Sequence, residues 1–300
     1  MTITIKNIRL KGIIGIYEGE RHNKQDIIIA TSTAAAFGLA TLKLFGLVQR
    51  PVVAIHCGIV NYQLTWWRRN INTIALNHMW TQLFGEGELP DMLDLYHVQE
   101  SRVEINQFGV DTKFWTPGDD KGDYVLAVGN DERRDYELLI RVAAKIDVKV
   151  IIVTRRKINI DLPSNVEILM GGWHEEALTD EKLRNLYRNA VLVVIPLIDS
   201  PQPSGQSVCL QAMACGKPVV LTRTDGLWSR TMMRKDENVV FVPPGNEKIL
   251  LSTIKQLLKN SAQRKKIGVC AHDTACVEGN ITSFAGRLEA LCRRLLVVEG

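Results

Sequence analysis

Cysteine is scarce in this 300-residue chain and unpaired in pattern. Six are present, at Cys57, Cys209, Cys215, Cys270, Cys276 and Cys292, with no CxxC pair and none at zinc-ligand spacing from a histidine. That argues against a disulfide framework or a zinc module and favours a reduced, cytoplasmic chain. No secretory signal is legible at the start, because Lys6, Arg9 and Lys11 break the first apolar stretch. Long apolar runs are missing too. The longest, 190–198 counting Pro196, is too short for a bilayer. Neither sign of charge dominates: 37 basic against 33 acidic residues leave +4. Before Pro117 there are 11 basic and 10 acidic residues, and after it 26 and 23, so neither half is a polycation and no nucleic-acid partner is implied. There is no Gly-x-Ser-x-Gly elbow, no Walker-type loop and no Asp-x-Asp motif. Glu175 and Glu176 after His174 lack the further ligand that a metal constellation would need, so no metal is assigned.

What is present is ordinary globular material, 46% hydrophobic and 23% charged, in a chain long enough to expect two domains. Short β-branched runs predict strands at 27–30, 52–55, 103–106, 124–128, 148–153, 166–170, 191–195, 219–222 and 239–242. Several are apolar at consecutive positions, as in strands buried on both faces of a parallel sheet. Helical stripes lie between them at 134–146, 180–189, 207–214 and 248–258, and from about 278 through Phe284, Leu288, Leu291 and Leu295. This alternation predicts βαβ units and a doubly wound α/β fold. The polar stretch 116–123, with one Pro and two Gly, has the composition of a linker. The expected division is therefore 1–117, 118–277 and a C-terminal helix over 278–300. The first part is short for a Rossmann-like domain and lacks the opening strand and Gly-rich loop, so it is expected to be incomplete.

The most informative block is SGQSVCLQAMACGKPVV at 204–220. A strand, a Pro-rich loop and Gly205 lead into a helix beginning near Ser207. The free N–H groups and dipole of such a helix make an anion site at the carboxyl end of a parallel strand. Gln211 lies one turn further on. The same features also fit an ordinary core helix with Gly216 as its C-cap.

In this block the run LQAMACGKPVV resembles the "LEAMACGKPVV" helix and strand of GT-B glycosyltransferases of the family 4 type, the retaining nucleotide-sugar-dependent enzymes. Three further landmarks follow the family order: FGVDTKFWTP at 108–117 is similar to "NGVDxxxFxP", YVLAVG at 124–129 to "ILYVGR", and NVVFVPPG at 238–245 to "NGxLVPPGD". The resemblance implies two Rossmann-like domains facing across a cleft. It further implies transfer of a sugar from a nucleoside-diphosphate sugar to a hydroxyl of a sugar, glycan or glycolipid acceptor, with retention of configuration, in polysaccharide or glycolipid assembly. No cofactor or metal is expected, and the setting is cytoplasmic with room for peripheral contact at the inner membrane face.

Residue by residue, the family's paired glutamates fall on Pro203 and Gln211, so both carboxylates are absent. Gln211 would take the ribose role by accepting through its amide oxygen, a neutral and weaker partner than a carboxylate. Gln206, Ser207 or their backbone N–H groups would take the role facing the donor sugar, with Gly205 allowing close backbone approach. The family's basic pair after the 124–128 strand falls on Asn130 and on Arg133 or Arg134. Arg134 is the first choice as the diphosphate and leaving-group contact, the alternative being a solvated pair bridged to Glu132 or Asp135. His56, ending a strand, matches the position where a histidine faces the donor sugar, and Gly172 and Trp173 lie where the nucleotide base is contacted. The loss of both glutamates keeps a second expectation open, a catalytically inactive nucleotide-sugar-binding subunit. Finally, YQLTWWRR at 62–69 is expected to start an amphipathic helix packed on its own sheet, with an acceptor or membrane-surface contact as the alternative.

Overall fold

The computed structural model describes residues 26–56, 59–60, 64–118, 122–171 and 178–298. The chain divides into two compact units, Met1–Gln107 with Phe284–Gly300, and Phe108–Ser283. Each is built on a wholly parallel sheet.

The first unit carries four strands, β1 (Ile28–Ala30), β2 (Val52–His56), β3 (Trp80–Leu83) and β4 (Val103–Ile105), in the order β1-β2-β3-β4. Helices α1 (Thr33–Leu44), α2 (Trp66–Asn77) and α3 (Leu89–Tyr96) alternate with them. Ser32 caps α1, its hydroxyl accepting from the Ala35 amide at 3.3 Å, and Ala35, Ala36, Leu39, Ala40 and Leu42 form its buried stripe. β3 reads WTQL and has no apolar run, so the sequence does not announce it. Parallel pairing to β2 and β4 on both sides holds it, and Asn106 donates to the buried Gln82 side chain at 3.2 Å.

Helix α2 departs from expectation. It packs inward through Ala75 and Leu76, while Trp66, Trp67, Ile71 and Ile74 stand exposed. The tryptophans are 77% and 52% exposed, so the expected inward packing of the 62–69 stretch does not hold for them.

The second unit is a six-stranded sheet of β5 (Tyr124–Val128), β6 (Lys149–Val153), β7 (Val166–Leu169), β8 (Ala190–Ile195), β9 (Val219–Thr222) and β10 (Val240–Val242). Its strand order is β10-β9-β8-β5-β6-β7. The chain winds outward from β5 in one direction and then outward from β8 in the other, the doubly wound pattern with its switch point between β5 and β8. The connecting helices are α4 (Tyr136–Ala143), α5 (Asp180–Arg188), α6 (Gln206–Ala214) and α7 (Glu247–Lys259), followed by α8 (Ser261–Val277). Along β5, Val125 and Ala127 join the core under α4 and α7, while Leu126 and Val128 join the core under α6. Both faces are thus covered, which is why these strands read as continuous apolar runs.

The boundary between units falls earlier than the polar stretch suggests. Val110 and Trp115 are buried in the core of the second unit, and the Val110 amide donates to Gly279 O at 2.9 Å. The last helix, α9 (Ile281–Val298), is not free-standing. From Phe284 onward it belongs to the first unit, where Leu291, Cys292 and Leu295 pack with Ile27, Ile29 and Val53. Among the described residues, no helix is long and apolar enough to cross a membrane, and no group of three His, Cys, Asp or Glu side chains is placed to hold a metal.

Candidate functional site

The switch point of the second unit holds a cavity of about 620 Å³. Two chain segments reach it from the carboxyl ends of adjacent strands. One is the 129–135 loop between β5 and α4, and the other is the loop from β8 into α6.

The first loop is pinned at several points. Tyr136 Oη donates to Gly129 O at 2.7 Å, and Asp135 caps α4 by accepting from the Leu138 amide at 3.0 Å. The Asp135 amide donates to Pro196 O at 3.0 Å, tying the loop to the end of β8. Burial pushes the Tyr136 phenol up to about 12, so it stays protonated and keeps donating. Asn130, where the family places a basic residue, is a brace: Nδ2 donates to Gly171 O at 3.2 Å, and Oδ1 accepts from the Arg155 amide at 2.7 Å.

Arg134 is the central group. Its side chain is only 3% exposed, although it is ionic. Nε lies 3.0 Å from Asp131 Oδ2, an ion pair off the angle of a hydrogen bond, and among the described residues Nη1 has no hydrogen-bond partner. A buried guanidinium with an idle N–H is costly unless a ligand completes it. Two glycines make its berth. A Cβ at Gly129, where φ is +150°, would fall 2.1 Å from Arg134 Nε, and one at Gly205, where φ is +83°, would fall 2.8 Å from Nη1. These backbone conformations suit glycine, and no other residue leaves room for the guanidinium.

Gly205 is also the N-cap of α6. No side chain caps this helix and its first turn holds no acid, so its amino end offers N–H groups and positive dipole beside Arg134. Ser207, Val208 and Gln211 line the cavity, while the sequence-predicted Gln206 is buried at 7% exposure and is not among the lining residues. Gln211 Oε1 accepts from Tyr187 Oη at 3.2 Å. Arg133 turns away, its Nε donating to Ser200 Oγ at 3.1 Å. Asp131 links the two loops, since its Oδ1 accepts from Ser204 Oγ at 2.8 Å.

Of the sequence-predicted residues, Arg134, Gly205, Ser207 and Gln211 come together here, and Arg133 does not line the cavity. Gly172 and Trp173 lie outside the described residues. His56 closes β2 opposite Leu83 in the first unit, and its side chain lies outside the described part as well. Sequence reasoning missed Asp131 as the partner of Arg134, naming Glu132 or Asp135 instead. It also missed Trp115, Leu178, Thr179, Asp180 and Leu183 on the cavity wall. Trp115 had a usable signal, the aromatic place of the 108–117 motif.

Residues 122–260 match the family described as Glycosyl transferases group 1. The match lies within the second unit. A D-inositol 3-phosphate glycosyltransferase of Salinispora arenicola is 27% identical over 237 residues, which cover 67% of this chain and 52% of that protein. The chain thus spans about half the length of this glycosyltransferase relative. Among solved structures, HepE of Anabaena in complex with UDP-glucose superposes with a TM-score of 0.78 at 15% identity, covering 94% of this chain and 82% of its own. Sucrose-phosphate synthase of Thermosynechococcus elongatus gives 0.76 at 16% identity, covering 94% and 76%. These likenesses show the fold, the GT-B class of two Rossmann-like domains.

Proposed function

We propose that this chain binds a nucleoside-diphosphate sugar in the second unit and transfers the sugar to an acceptor hydroxyl with retention of configuration. The observation that carries the reading is the buried Arg134 guanidinium, with its idle Nη1 set against the uncapped amino end of α6. A diphosphate supplies acceptor oxygens for both. HepE is held with UDP-glucose, which makes UDP-sugars the first donors to try.

In this reading the bond from the anomeric carbon to the diphosphate oxygen breaks, and the acceptor oxygen bonds the same carbon from the same face. The acceptor proton passes to the leaving phosphate oxygen. Arg134 and the N–H groups at Gly205, Gln206 and Ser207 carry the charge that develops on that phosphate. Trp115, Leu178 and Leu183 give an apolar wall for the nucleoside, and the resemblance assigns base contact to Gly172 and Trp173. His56 and the acceptor-side contacts come from the first unit by the same resemblance, and the setting is polysaccharide or glycolipid assembly.

Peripheral contact with an anionic membrane surface belongs to this reading. From Ile27 to Gly85 the sequence has Lys43, Arg50, Arg68 and Arg69 and no acidic residue. The same stretch exposes Leu44, Phe45, Trp66, Trp67, Ile71 and Ile74, and Arg68 lies 5.0 Å over the Trp67 ring. Exposed tryptophan beside arginine, without acids, suits a headgroup interface.

Calorimetric titration of the full chain with UDP, GDP and their sugars, followed by mass spectrometry for free or transferred sugar, tests the proposal. Binding with turnover supports it. Binding without turnover selects the inactive-subunit reading, which Pro203 and Gln211 in place of two glutamates favour. No nucleotide binding refutes both.

A further inference from the structure

Gln211 lines the cavity one turn into α6, and its amide has two different faces to offer, an acceptor Oε1 and a donor Nε2. Which one meets a ligand is decided from behind. Tyr187 is fully buried, and its hydroxyl lies 3.2 Å from Gln211 Oε1. A phenol has a single O–H to donate. Were the amide turned the other way, Nε2 would donate to the phenol oxygen and the buried phenol proton would be stranded. A stranded buried donor costs more than an unused acceptor lone pair. Burial also holds the Tyr187 phenol well above its ordinary pKa, so that proton is present at every working pH. Trp115 packs edge-on against the Tyr187 ring with centroids 5.7 Å apart, which fixes the ring that aims the hydroxyl.

We propose that Tyr187 locks the Gln211 amide with its Nε2 amino group toward the cavity, so that this position selects a ligand oxygen that accepts a hydrogen bond. Resting on the nucleotide-sugar reading, the inference places an accepting ribose oxygen at Gln211, where a carboxylate would instead demand a donating hydroxyl. Gln211 is then a specificity residue of reversed polarity, and Tyr187 is a positioning residue behind it.

The experiment compares UDP with its 2′- and 3′-deoxy and its 2′- and 3′-O-methyl forms by calorimetry. A methyl ether keeps the accepting oxygen and removes the proton. At the contacted position, the natural chain should bind the O-methyl ligand about as well as UDP. It should lose about threefold to tenfold on the deoxy ligand, the worth of one hydrogen bond. Gln211→Glu should lose the O-methyl and the deoxy ligand alike. Tyr187→Phe, which deletes one hydroxyl and frees the amide to turn, should still bind UDP but with the O-methyl preference reduced. Equal loss on O-methyl and deoxy ligands by the natural chain overturns the inference, as does an unchanged preference in Tyr187→Phe. Failure of the natural chain to bind UDP or GDP at all overturns the nucleotide reading and this inference with it.

Discussion

Replacing Arg134 by Met separates a functional guanidinium from a structural one. Met nearly fills the volume and leaves the backbone contacts of the position in place, including Arg156 Nη1 donating to the residue-134 carbonyl at 2.6 Å. Asp131 loses its ion-pair partner, but its side chain is 36% exposed and still accepts from Ser204 Oγ and the Arg133 amide, so no buried carboxylate is orphaned. An apolar side chain of similar volume removes the desolvation cost of the buried cation, and the penalty for stranding a buried partner does not arise because Asp131 stays solvated. For a domain of this size each kcal/mol moves the melting temperature by about 2–4 °C. The ligand-free variant should therefore melt at the natural temperature or above it. Its nucleotide affinity should go the other way. A charge-assisted hydrogen bond from Nη1 to a phosphate oxygen is worth about 1.5–3 kcal/mol, a loss of roughly tenfold to a hundredfold in Kd. Thermal melts with and without saturating UDP, alongside calorimetry, read both quantities from one preparation. A melting temperature that falls while UDP affinity is unchanged would show that Arg134 only holds the loops together, and would refute the argument.

Gly205→Ala should reach the same site by geometry. Its Cβ would meet Arg134 Nη1 and Ile195 Cγ2, both at 2.8 Å, in a left-handed backbone conformation. The strain alone costs about 1–2 kcal/mol, so both the melting temperature and UDP affinity should drop, and natural values for both would remove the glycine berth from the account. At the first unit, the double change Trp66→Ser and Trp67→Ser should abolish sedimentation with phosphatidylglycerol vesicles, while binding to phosphatidylcholine vesicles should be weak for every form. Two arginines near an anionic surface contribute about 1 kcal/mol each, so added salt should release the natural chain. Equal sedimentation of the natural chain and the variant would exclude α2 as the contact.

Legibility followed burial. β5 and β9 have the bounds their apolar runs predict, because strands covered on both faces leave no other pattern. β3 was invisible because Thr81 and Gln82 are buried polar residues, held by neighbours from distant parts of the chain. α8 was missed for a different reason. It packs through Gly268, Ala271 and Ala275, and a Cβ on Gly268 would fall 2.2 Å from Gly216 O. A helix that fits by smallness shows no stripe of large apolar side chains. At the site, the anion-binding end of α6 was legible from Gly205 and its strand. The partner of Arg134 was not, since a turn places Asp131 beside the guanidinium while helix spacing favours other acids.

The path of α9 bears on how the molecule is made. Arg287 donates to Asn106 Oδ1 across 181 residues of sequence, and the same helix seals Ile27, Ile29 and Val53. During synthesis Ile27, Ile29 and Val53 emerge well before the α9 residues that pack on them, with the whole second unit translated in between. Completion of the first unit's core thus depends on contacts of long sequence separation, made only after the second unit has been translated. A cut just after Ser283 would consequently injure the lobe most remote from it along the chain and leave its neighbour in sequence whole.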